Sequence, residues 1–181
     1  MAEPLRPASR NVFGKENWIF VPTIADITAP TVAEVTAASA LDITNIAFAS
    51  AGPTPSQSTS LATAERRVGD TKARQRIGQT TYAGGEMTYQ FDPQGAAASD
   101  VVKAWETFGS EGTTGFLVRR QGIAKATTPV AGQFVDVYPV EFGPSMPTSI
   151  GQQDSEETAA VCTFAITDVQ NGPVFKKAIA A

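Results

Sequence analysis

The chain has no histidine and a single cysteine. Nor does any stretch approach the roughly 20 consecutive apolar residues that a membrane-spanning helix needs. Without histidine there is no ordinary general base near neutral pH, no Ser-His or Cys-His pair, and not the commonest transition-metal ligand. Most familiar hydrolase and metalloenzyme mechanisms are excluded, and no catalytic residue, metal or cofactor is expected. Cys162 cannot close an internal disulfide, and its setting AAVCTFAIT predicts a buried, inert thiol. The opening MAEPLRPASRN lacks the apolar run of a secretory leader, so the chain is expected to remain in the cytoplasm of the cell that makes it.

Other chemical signatures are also missing. Gly84-Gly85 precedes a strand without the lysine and helix of a phosphate loop, and reads as a turn. Asp154, Glu156 and Glu157 lack calcium-loop spacing and its central glycine, and read as a solvated acidic loop. Glu86 and Asp136 could meet as a carboxylate pair, but nothing singles them out.

What is present is mainly strand pattern. Residues 1–16 read as a flexible polar arm, and residues 17–181 as one domain, large enough to bury roughly 70% of its unfolded surface. NWIFVP (17–22) is a first strand ended by Pro22. Thr31-x-x-Glu34 is a capping box for a short helix over about 31–38, and LDITNIAFA (41–49) reads as a strand rich in β-branched residues. In GEMTYQFD (85–92), Met87, Tyr89 and Phe91 alternate with Glu86, Thr88, Gln90 and Asp92, the pattern of a half-buried strand. One clear helix is predicted at about 99–108, capped by Ser99 or Asp100, with Val101, Trp105 and Phe108 on one face and Gly109 at its end. Strands follow at 114–121, 133–142, 158–168 and around 173–180, and Pro139 places the second of these at an edge or bend. The fold class is mainly β: an antiparallel β-sandwich or partly closed barrel with one flanking α-helix.

Residues 49–60 have loop composition, and 61–81 have too few large apolar residues for a buried face of either period. A two-stranded ribbon turning at Val68-Gly69-Asp70-Thr71 fits, making about 49–81 an extended projection. Arg66, Arg67, Lys72, Arg74 and Arg76 against Asp70 give residues 66–76 a charge of +4, leaving nine basic and seventeen acidic residues, −8, elsewhere. Single-strand binders pair such charge with stacking aromatics, and there is no Phe, Tyr or Trp between Leu61 and Thr81. With no apolar side to bury, the ribbon either hangs in solvent or lies on another molecule. The acidic remainder of a second copy is the preferred partner, ahead of nucleic acid.

The stretch WIFVPTIADITAPTVAEVTAASALDIT (18–44) resembles the start of major tail tube proteins of long-tailed phages, especially those of actinobacterial hosts. The order of the later elements, GEMTYQFDP, VVKAWETF, FLVRR and VDVYPVEF, is similar too. The resemblance implies a non-enzymatic virion protein with the tail tube fold, assembled in the host cytoplasm. Its copies would join into hexameric rings that stack into a tube, with DNA passing through the lumen without specific binding. Tape-measure, tail-tip and tail-terminator proteins are the other partners it implies. On this reading Arg66, Arg67, Lys72, Arg74 and Arg76 make inter-ring contacts, while Glu86, Thr88, Gln90 and Asp92 face the lumen. The alternative is a ligand- or carbohydrate-binding β-sandwich module, for which Trp18 and Trp105 are the available aromatics, both in core-like patterns.

Overall fold

In the strand β1, Glu16–Val21, Trp18 and Phe20 point to one side, Ile19 and Val21 to the other, and all four are buried. A strand of this kind needs cover on both faces, and the rest of the chain supplies it. The computed structural model describes residues 11–168 and 172–181. After β1 come α1 (Val32–Val35), β2 (Leu41–Asp42), β3 (Ser56–Ala64), β4 (Arg74–Ala83), β5 (Gly85–Gln90) and α2 (Asp100–Phe108). β6 (Thr113–Gln121), β7 (Phe134–Phe142), β8 (Met146–Ile150), β9 (Glu157–Ile166) and β10 (Val174–Ala178) complete the order.

Eight strands form one antiparallel sheet in the order β2-β1-β6-β7-β9-β5, with β10 also beside β7 and β8 also beside β9. The sheet curls into a half-barrel, the partly closed form of the expected class. Among the described residues β3 and β4 pair only with each other, as a separate two-stranded ribbon. Most of the arm expected at 1–16 lies outside the described residues. Its last part is tied down: Gly122 N donates to Lys15 O at 2.8 Å and Lys125 N to Gly14 O at 3.1 Å.

One sheet face carries an aromatic core closed by α2. Phe108 of the helix meets Phe142 at 4.6 Å and sits edge-on to Phe20 at 5.3 Å, while Trp105 lies on Phe91 at 4.5 Å. Ser99 caps the helix, its Oγ accepting from Val102 N. Tyr89 donates to Ser145 Oγ at 2.9 Å and Ser145 to Phe108 O at 2.7 Å, fastening the helix end to β5. Burial pushes the Tyr89 phenol up to about 12. Cys162 is fully buried in this core, and burial likewise pushes its thiol up to about 12, the inert state its setting predicts.

The opposite face is aliphatic: Ile19, Val21, Val118, Val135 and Val137 are covered by Ile24, Val35 and Ile179. α1 reaches this face through its capping box. Thr31 Oγ1 accepts from Glu34 N at 3.3 Å, and Glu34 Oε2 accepts from Thr31 N at 2.7 Å. The helix is shorter than the sequence suggests, because Thr36 turns its hydroxyl back onto Val32 O at 2.8 Å and no large apolar residue follows to extend the buried face.

Two further departures have local causes. Only Leu41–Asp42 of the run 41–49 is strand. Asp42 Oδ1 takes the Thr44 amide at 2.9 Å, and the turn drops Ile43 and Ile46 into the aromatic core. The chain then flanks the outer edge of β5, with Gln90 N on Ile46 O, Phe48 N on Thr88 O and Thr88 N on Ala51 O. Pro139 sits inside β7, opposite Phe116 of β6. On its other side β7 pairs with β10 up to Val137 and with β9 from Val140, so the missing amide falls where the neighbouring strand changes.

Arg120 on β6 is 2% exposed. Its guanidinium donates to Asn17 Oδ1 and Gln133 Oε1, both at 2.9 Å, and to Thr127 O. Asn17 in turn donates to Lys125 O, so the network straps loop 122–133 onto the sheet. Burial lowers the Arg120 pKa, while Asp42 opposes that shift.

Candidate functional site: an exposed ribbon and an uncovered sheet face

The ribbon spans Ser56–Ala64 and Arg74–Ala83, so its first strand begins inside the stretch read as loop. Nine residues at about 3.3 Å each make it roughly 30 Å long. It turns at Val68-Gly69, where Asp70 N donates to Arg67 O at 2.9 Å and Asp70 Oδ2 accepts from Arg67 N at 3.1 Å. Arg66, Arg67 and Lys72 occupy the tip, Arg74 and Arg76 the start of β4, and all five are exposed. Arg74 approaches Asp70 at 3.8 Å, a loose surface pair of little energetic weight.

Register corrects the picture of a ribbon with no apolar side. Leu61 faces Ile77 across the ladder, while Ala62 faces Arg76 and Ala64 faces Arg74. Opposed residues share a face, so Arg74 and Arg76 project from one side and the Leu61–Ile77 pair from the other. That pair is 62% and 74% exposed.

The root of the ribbon is firmly seated. Tyr82 packs on Phe175 at 6.3 Å, and one non-strand residue, Gly84, links β4 to β5. A Cβ at Gly84 would lie 2.6 Å from the Phe164 carbonyl carbon and 2.8 Å from Ala165 Cα. Gly84 therefore permits close backbone approach where the sequence suggested a turn.

The aliphatic core covers only part of its sheet face. Over β5, β9 and the adjoining ends of β7 and β6 that face is open. Glu86 pairs with Thr163, Glu141 with Ala165 and with Thr114, and all five are exposed. Together with Gln90 they form a polar belt across four strands that contains two carboxylates and no lysine or arginine. Of the residues expected on this face, Glu86 and Gln90 are exposed on β5, and Thr88 is buried at 6% between Val161 and the 48–51 segment. Asp92 lies beyond the strand, exposed, with its Oδ1 accepting from Gln94 N at 3.0 Å. Thr114, Glu141 and Thr163 were missed. Their alternation was legible, but which strands flank β5 was not.

The possible carboxylate pair is not assembled. Glu86 belongs to the open belt, whereas Asp136 lies on the opposite face, opposite Arg119 of β6, and accepts from Lys176 N at 2.9 Å. Trp18 is buried beneath Arg119, whose guanidinium lies 5.2 Å from the ring and pairs with Glu16 at 2.7 Å. Trp105 is half-buried on Phe91, so neither tryptophan forms an exposed platform.

Fold and surface together define a mainly β protein: a curled antiparallel sheet, one principal helix, a strapped β6–β7 loop and a long projecting ribbon. The chain belongs to the phage tail tube protein family, whose model matches residues 4–179. It is thus a structural tail tube subunit, and the family places it in the virion tail, self-assembled into a tube with other tail components. The curated proteins contain no match to the chain. Among the described residues no helix is long and apolar enough to cross a membrane.

Proposed function

We propose that six copies join their sheets into a ring, that rings stack into a hollow tube, and that the belt of Glu86, Gln90, Thr163, Glu141 and Thr114 lines its lumen. The observation that carries this reading is the uncovered sheet face itself, polar and free of cations among the described residues. Such a wall repels phosphate and lets DNA slide without sticking. The ribbon reaches a neighbouring ring, with Arg66, Arg67, Lys72, Arg74 and Arg76 at the contact. Tape-measure, tail-tip and terminator proteins set the length and ends of the tube.

Negative-stain imaging and sizing of concentrated protein test the assembly. Rings or tubes are expected, and monomers that persist even with tail-tip components supplied would overturn it. In complemented phage, Glu86→Lys with Glu141→Lys is expected to leave tubes intact but slow DNA delivery by about tenfold. Unchanged delivery would remove the belt from the lumen.

A further inference from the structure

The ribbon and the β8–β9 hairpin leave the sheet at opposite ends of β9. The ribbon enters β5 through Gly84, where Gly85 pairs with Phe164, while the hairpin turn precedes Glu157 at the other end of β9. Their charges are opposite. Residues 56–83 carry five basic and two acidic side chains, whereas residues 143–158 carry Asp154, Glu156 and Glu157 and no lysine or arginine. All three carboxylates are exposed.

The two projections also match in other respects. Among the described residues β8 pairs with β9 on one edge only, and each ribbon strand pairs with its partner alone, so both offer strand edges that no described strand covers. The ribbon exposes Leu61 and Ile77, and the hairpin exposes Met146, at 67%. Among the described residues the only ion pair made by the ribbon's five cations is the loose one between Arg74 and Asp70.

We infer that the ribbon of one copy docks on the β8–β9 hairpin of the next, its arginine-bearing face against Asp154, Glu156 and Glu157. This rests on the stacked-tube reading above and adds the surface that receives the ribbon. Because the two surfaces differ and lie at opposite ends of the same strand, the contact is head-to-tail and leaves a free ribbon and a free hairpin at the two ends of any stack. Attraction between exposed charges makes the contact weaken as salt rises.

A charge swap in the full chain tests it. Arg74→Glu with Arg76→Glu, and separately Asp154→Lys with Glu156→Lys and Glu157→Lys, should each slow tube growth by at least about tenfold. All five changes are exposed, and circular dichroism should show both variants folded. Mixed in one chain, the five changes should restore growth. Normal growth of the acidic-turn variant, or no rescue by the full swap, overturns the docking while leaving the tube standing. Absence of wild-type tubes overturns the tube reading instead. In that case Ala62→Cys, on the arginine-bearing face opposite Arg76, in one copy and Ser155→Cys in another read the contact directly: an intermolecular disulfide supports it, and none under oxidising conditions overturns it.

Discussion

The molecule contains two antiparallel strand pairs of nearly equal length that could hardly differ more in what surrounds them. β6 and β7 have nine residues each, carry apolar side chains on both sides, and lie between the aromatic core and the aliphatic one. β3 and β4, with nine and ten residues, have almost every side chain in solvent. Backbone hydrogen bonds are present in both. The ribbon shows what a ladder is without a core, since an isolated two-stranded hairpin is at best marginally stable in water. Its stability in service therefore depends on whatever it lies against.

The contrast can be broken most severely from the core side. Phe108→Ala removes the ring that Phe20, Tyr89 and Phe142 all contact, and should cost about 3–5 kcal/mol in chemical denaturation. Next comes Gly115 on β6, where a Cβ would lie 2.5 Å from the buried Phe20 ring and 3.0 Å from Val21 O. Gly115→Ala is expected to cost about 1–3 kcal/mol by overpacking, read as a lower melting temperature. A smaller effect belongs to pH. The amide of Ala25, then Thr31, hold the Glu34 carboxyl below its ordinary value, with burial opposing them. The stability this contributes is present above the unfolded value and is lost as pH falls through the lowered one. Thermal melts should therefore decline below about pH 4.5, and Glu34→Gln should flatten that decline. At the far end of the scale, Leu61→Ser with Ile77→Ser should move the melting temperature of unassembled protein by almost nothing, since those side chains are already in water. Hydrogen exchange sharpens the same comparison: ribbon amides should exchange quickly in unassembled protein and become protected in tubes, while β6–β7 amides stay protected in both.

Much of this was legible in the sequence. Alternation in GEMTYQFD placed Met87 and Tyr89 inward, the caps at Thr31 and Ser99 marked both helices, and the absence of large apolar residues in 61–81 identified the ribbon. What escaped depends on long-range pairing. LDITNIAFA has strand propensity, yet Asp42 captures the Thr44 amide and a turn wins. Glu141 and Thr163 become neighbours of the Glu86 belt only once β9 lies between β5 and β7, a register no local pattern encodes. Arg120 looks like a solvated charge in VRRQ, and only the fold encloses it with Asn17 and Gln133.

Gly84 carries a mechanical consequence. Its closeness to Phe164 and Ala165 seats the ribbon root on β9, and β5 then runs antiparallel along β9 from Gly85 to Gln90. A pull on the ribbon reaches β5 at its Gly85 end, and the component directed along β5 would load that ladder in shear, so that its hydrogen bonds resist together rather than opening one after another. The strand that bears this load also presents Glu86 and Gln90 to the open belt, and its partner β9 presents Thr163. If the belt lines the lumen as proposed, bending of a tail would be felt at the wall of its channel through a single glycine.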